Sequence, residues 1–89
     1  MILLTYKQVK AYTIGTTRKD FETNPKRIGL LIQNLSGTTV YFLQKGSENT
    51  DFSIEIDGTP YSDEIGASSG FSLKASANSD VRIEEIFKV

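Results

Sequence analysis

Gly66-Ala67-Ser68-Ser69-Gly70 carries the G-x-S-x-G spacing of a nucleophile elbow, in which a serine on a sharp strand-to-helix turn attacks a carbonyl. That chemistry needs a general base to take the serine proton, most often a histidine. The chain has 89 residues and no His, too few residues and the wrong ones for a hydrolase sheet. The pentapeptide therefore reads as a flexible Gly/Ser loop, and no catalytic residue is assigned.

Carboxylates gather at Asp57, Asp63 and Glu64, and again at Glu84 and Glu85. Paired acids serve glycoside hydrolysis or hold Ca²⁺ when a loop folds them together. Neither group has the spacing of a calcium loop, and adjacent residues of a strand point to opposite faces. They read as solvated turn acids. Arg18-Lys19 and Lys26-Arg27 flank Phe21, a pattern that single-strand nucleic-acid binders use for stacking and phosphate contact. Asp20 and Glu22 sit among them and neutralise the local field. With no Cys and no His, the best zinc ligands are missing, so no metal and no cofactor are expected. Tyr6, Tyr12 and Tyr61 have polar neighbours, and such rings with a polar tip suit protein or sugar interfaces. They are the interface candidates. Asn34-Leu35-Ser36 is formally a glycosylation sequon and is expected to stay unmodified.

Composition narrows the field further. Ten basic and eleven acidic residues leave a net charge of −1, which gives no general attraction to nucleic acid or anionic membrane. No stretch approaches the roughly 20 apolar residues of a membrane span. The opening MILLTYK has too short an apolar run for a signal-peptide core, so the chain is expected to be made in the cytoplasm without processing. The length suits a single domain over residues 1–89. A domain of this size buries only roughly two-thirds of its unfolded surface. Without disulfides or metal, oligomerisation is the remaining route to extra buried area.

The elements that position these residues are strands. FSIEI over 52–56 alternates with Phe52, Ile54 and Ile56 inward, and FSLKA over 71–75 repeats the pattern with Phe71, Leu73 and Ala75. RIGLLIQNLSGTTVYFL over 27–43 is apolar on both parities, the mark of strands covered on both faces. Its Ser36-Gly37 predicts a tight hairpin, with Gly supplying a positive φ. KGSENTD over 45–51 is a polar loop, and Asp57-Gly58 ends a strand at a turn. In VRIEEIFKV the pair Glu84-Glu85 breaks the alternation, and a bulge there is expected to return Ile86 inward. ILLTYK, QVKAYTI and TTRKDF each read as an edge strand. The sum is an all-β antiparallel fold of about seven or eight short strands, a small sandwich or jelly-roll-like barrel. Its expected core is Ile28, Leu30, Ile32, Val40, Phe42, Ile54, Phe71, Leu73 and Ile83.

The stretch Asn24-Pro25-Lys26-Arg27-Ile28-Gly29-Leu30-Leu31-Ile32-Gln33-Asn34, followed by a Ser/Gly turn and Val40-Tyr41-Phe42, resembles a pattern in small virion proteins of bacterial and archaeal viruses. Residues 24–58 and 80–87 carry the likeness. It departs from the pattern after Tyr41, where Gln44-Lys45-Gly46-Ser47-Glu48 replaces a short Gly-rich stretch. The resemblance implies a β-sandwich or jelly roll acting as a head-decoration, capsid-stabilising, fibre or spike component, with no catalytic residue. Further copies of the chain (a trimer among the options) and a major capsid protein are the implied partners, and the virion is the implied location. A host-surface or carbohydrate-binding module is the second reading, favoured by exposed aromatics flanking a groove. A small five-stranded single-strand nucleic-acid binder is the third, favoured by a contiguous basic face.

Overall fold

Alternating apolar residues sort the chain into strands with one face inward, and eight such strands appear in the computed structural model, which describes residues 4–44, 54–63 and 67–89. They are β1 (Thr5–Ile14), β2 (Lys19–Phe21), β3 (Arg27–Asn34), β4 (Val40–Gln44), β5 (Ile54–Ile56), β6 (Tyr61–Asp63), β7 (Phe71–Ala75) and β8 (Ser79–Lys88). Two four-stranded antiparallel sheets result, ordered β1-β8-β3-β6 and β2-β7-β4-β5. Every connection crosses from one sheet to the other except the β4–β5 hairpin. That wiring is the jelly roll, an eight-stranded double-sheet fold. The all-β expectation therefore holds, and the sandwich is of the jelly-roll kind.

The core lies between the sheets. Ile14, Leu30, Ile32, Val40, Phe42, Ile56, Phe71, Leu73, Ala75, Val81 and Ile83 are all buried there. Seven of the nine expected core residues are among them. Ile28 is half-buried because the β3–β8 register shifts between Arg27 and Gly29. Ile54 is 39% exposed at the start of the short edge strand β5, whereas Ile56 on the same face is buried. Phe52, Glu64, Gly66 and the 45–51 loop lie outside the described residues.

The expected 27–43 hairpin does not form. β3 pairs with β8 and β6, whereas β4 pairs with β7 and β5 in the opposite sheet. The two apolar runs are interior strands, one in each layer, joined by an arch over 35–39. The reason is polar. Leu35 N–H bonds Asp80 O at 2.8 Å, and the Asn34 amide donates to Thr38 O and, at 3.0 Å, to Ile56 O. Those bonds carry the chain across the sandwich before a two-residue turn can close. Gly37 keeps an ordinary backbone with open space where a Cβ would stand, so the arch does not depend on a positive φ.

The N-terminal third differs as well. Thr5 to Lys7 of ILLTYK and the whole of QVKAYTI merge into the single ten-residue β1, Ile2 and Leu3 lying outside the described residues, and TTRKDF contributes the three-residue β2. No bulge interrupts β8 at the glutamates. Its register with β1 runs unbroken from Ser79 to Lys88, so Glu85 shares the inward parity of Ile83 and Phe87 and Ile86 faces outward.

Two substitutions test this layout. Leu30→Ala removes a side chain that is 4% exposed between the layers and should cost about 2–5 kcal/mol in a denaturant titration. Gly37→Ala should change stability by less than about 0.5 kcal/mol. A large loss there would mean that the arch needs a glycine backbone.

Candidate functional site

Strict alternation along Val81, Ile83, Glu85 and Phe87 puts one carboxylate inside the sandwich, and an inward acid demands a cation. Arg27 supplies it from the facing end of β3. Its Nη1 donates to Glu85 Oε2 at 3.0 Å, with the two side chains only 4% and 13% exposed. The remaining donors go to main-chain carbonyls. Nε bonds Ala67 O, and Nη2 bonds Ser69 O at 2.8 Å and Glu22 O at 3.4 Å. The guanidinium also lies over the Phe71 ring at 5.4 Å. Lysine lacks the fork of donors to make this set.

The G-x-S-x-G stretch thus has a structural task. The described part, 67–70, is a turn pinned by Arg27, by Asn24 N–H to Ser68 O at 2.9 Å and by Gly70 N–H to Thr23 Oγ1 at 3.1 Å. It is no free loop, and its carbonyls act as acceptors for a buried charge. The supposed basic patch dissolves in the same way. Arg27 is buried, Arg18 Nε stands 2.7 Å from Asp20 Oδ1, and the Lys19 ammonium sits over the Tyr12 and Phe21 rings. Elsewhere Lys7 pairs with Glu84 at 3.4 Å and Arg82 with Asp80. Five of the described basic side chains are thus paired with an acid or lie over a ring.

The acids part company. Glu84 lies on the outer face and Glu85 on the inner one, so Glu85 is no solvated turn acid. Asp57 is exposed in the bend after β5, and Asp63 sits in β6. Asn34 of the sequon is buried, its amide spent on Thr38 and Ile56 carbonyls and its oxygen accepting from Ser36 N–H at 3.0 Å. A glycan would take one of the two amide hydrogens and so one of the two donated bonds.

The three candidate tyrosines do not converge. Tyr12 and Tyr61 are the two ends of one aromatic row through the sandwich. Its centroid spacings are 5.2 Å for Tyr12–Phe21, 4.7 Å for Phe21–Phe71, 5.4 Å for Phe71–Phe42 and 4.7 Å for Phe42–Tyr61. Both rings are half-buried packing elements. Tyr6, 52% exposed and stacked on Phe87 at 5.2 Å, keeps an open face. Arg27 and Glu85 escaped the sequence reading as a pair, although the inward parity of Glu85 was the signal that could have found them.

The outer face of the longer sheet holds a patch of apolar surface. Gly29, Leu31 and Ile86 surround a shallow groove of about 190 Å³, bordered by Ser62 and Glu84. A Cβ on Gly29 would stand 3.2 Å from Ile86 Cδ1, so glycine lets Ile86 lie flat across β3. Val9, 55% exposed, projects from the same face. Here the second apolar parity of β3 comes to the surface. A further hollow of about 130 Å³ lies among Arg18, Asp20, Phe21, Glu22, Phe71 and Ser72. Its polar atoms bond one another, the Ser72 hydroxyl donating to Asp20 Oδ1 at 2.5 Å.

No protein-family model matches the chain, and neither does any curated protein. A solved structure is similar: a chain from Bacillus endospore appendages, described as a novel family of disulfide-linked pili. The TM-score is 0.53 at 12% identity, over 98% of this chain and 88% of that one. At such identity the likeness concerns the fold alone.

Arg27→Met would strand Glu85 and the Ala67 and Ser69 carbonyls, and should cost about 3–5 kcal/mol by thermal or denaturant unfolding. Glu85→Gln keeps an acceptor and should cost less. An equal loss for both would mean that charge pairing, and not the carbonyl cradle, dominates.

Burial, the Asp63 charge and a hydrogen bond to Asp63 raise the Tyr61 phenol above its ordinary value near 10.0. The folded state then holds that proton more tightly than the unfolded chain. Its contribution is complete below about pH 10 and is lost as pH climbs through the folded value. Comparing alkaline unfolding with that of Tyr61→Phe should show the steeper decline in the unmodified chain.

Proposed function

We propose that this chain is a non-enzymatic structural subunit, and specifically a virion component that decorates or stabilises a capsid through protein–protein contacts. The observation that carries the reading is the outer face of the β1-β8-β3-β6 sheet, where Val9, Leu31 and Ile86 leave apolar area around a glycine-floored groove. Its charged border, with Lys7 paired to Glu84 and Arg82 to Asp80, gives orientation without a strong net field. Jelly rolls serve in viral capsids and in lectins, so the fold is compatible with the role. The similar appendage protein is described as part of a disulfide-linked pilus. This chain has no Cys, and any assembly it joins must hold without disulfides of its own. Many weak apolar contacts repeated around a symmetric particle would supply that hold.

The test is co-sedimentation with purified capsids across a salt series, with single-stranded DNA as the competing ligand. Binding to capsids should weaken only slightly as salt rises, because apolar contact is little screened. Leu31→Glu, which puts a charge beside the groove, should reduce capsid binding by roughly tenfold or more, about 1.4 kcal/mol. A chain that ignores capsids and binds DNA with a steep salt dependence would replace this reading with nucleic-acid binding. Retention on glycan arrays without capsid binding would replace it with the carbohydrate-binding reading.

A further inference from the structure

The β1 strand is ten residues long and lies at the edge of its sheet. Residues Thr5 to Ala11 are exposed, because the second sheet, whose strands reach at most five residues, covers only the far end of β1. Leu4 O accepts a hydrogen bond from Val89 N–H at 2.9 Å, which fixes the phase of the β1–β8 ladder. Even-numbered residues of β1 therefore bond β8. Thr5, Lys7, Val9, Ala11 and Thr13 turn their N–H and C=O groups to the open side. Among the described residues no strand pairs with that side.

An edge of this length without proline or a bulge is a template for another strand. The sequence on it reads T-Y-K-Q-V-K-A-Y-T over 5–13, close to a palindrome about Val9. We propose that β1 is a self-association edge: two copies of the chain pair antiparallel through Thr5–Thr13 about a two-fold axis at Val9. Each four-stranded sheet then continues into the other. This names the chain's own copy as a partner, and it stands or falls separately from capsid binding.

The register follows from chemistry. With Val9 on the axis, Thr5 faces the partner's Thr13, Tyr6 faces the partner's Tyr12, Lys7 faces the partner's Ala11 and Gln8 faces the partner's Lys10. Outward-facing backbone groups meet outward-facing groups, giving about ten backbone hydrogen bonds, two for each bonded pair. An axis on Lys7 or Lys10 would oppose lysine to lysine, and one on Gln8 would shorten the seam. Lys7 is already drawn back onto its own sheet by Glu84. Tyr6 and the partner's Tyr12 fall in a non-bonded pair, where side chains stand closest. The stack of Tyr6 on Phe87 in one copy then meets the partner's row from Tyr12 to Phe21. The open face of Tyr6 gains a ring to cover it.

The test uses the full chain in sedimentation equilibrium over a wide concentration range. The unmodified chain should reach twice the monomer mass. Val9→Pro removes only an N–H that points away from the copy's own sheet, so circular dichroism should stay unchanged while the dimer is lost. Val9→Lys places two charges on the axis and should likewise give folded monomers. Val9→Cys provides the only thiol. Across the axis the paired Cα atoms stand about 5.5 Å apart, so oxidation should yield a covalent dimer. Lys7→Cys, four residues from its symmetry mate along the seam, should not. A monomer or a trimer at the highest concentration, or dimers undiminished in both Val9→Pro and Val9→Lys, would overturn the proposal.

Discussion

A guanidinium buried at one end of a small sandwich has to be answered on every side, and the organisation around Arg27 follows from that need. Burying a charge without partners costs far more than a domain of this size can spare. Glu85 neutralises it, the Ala67, Ser69 and Glu22 carbonyls take the remaining N–H groups, and the Phe71 face covers the plane. One side chain thereby ties β3 and β8 to the turn entering β7 and to the segment leaving β2. Among the described residues no buried side-chain nitrogen or oxygen lacks a partner. The register shift between Arg27 and Gly29 belongs to the same arrangement. It leaves Arg27 inward opposite Phe87, and Ile28 only half-buried.

At the opposite end of β3 an amide does similar work. Asn34 bonds Thr38 and Ile56 carbonyls and caps the arch that moves the chain between layers, while Ser36 Oγ accepts from Asp80 N–H at 2.7 Å. Between these polar ends runs the aromatic row from Tyr12 to Tyr61, crossing the inner face of the shorter sheet and closing on both edges of the longer one. The sheets differ in length, ten-residue strands facing strands of three to five. That mismatch leaves Thr5 to Ala11 exposed, with no covering strand among the described residues. The exposed edge is therefore a consequence of how the sandwich is cut.

How much was visible beforehand varies residue by residue. Period-two alternation placed Leu30, Ile32, Val40, Phe42, Phe71, Leu73 and Ile83 inward without any tertiary knowledge, because a pleated strand buries one face. It did not separate Glu84 from Glu85, which read together as solvated acids at a bulge, whereas the unbroken β8 register turns Glu85 inward. The apolar excess of β3 at Leu31 was real, and the structure spends it on the outer face beside Ile86. The tyrosines were harder. Polar neighbours in sequence suggested exposure, yet the rings of Tyr12 and Tyr61 reach inward past those neighbours to Phe21 and Phe42.

The sequence by itself determined the all-β class, the apolar faces of the longer strands and the lack of His and Cys chemistry, since these depend on spacing and residue type alone. Only the tertiary structure decided which strands pair. Ser36-Gly37 favours a hairpin locally, but the fates of β3 and β4 were set by bonds reaching Ile56, Ser79 and Asp80, far along the chain. Likewise Arg27 and Glu85 are 58 positions apart and become a pair only when β8 lies beside β3. Local propensity fixes where a strand begins. Long-range polar satisfaction fixes its neighbours, because a buried donor or acceptor must be met by whatever part of the chain arrives there.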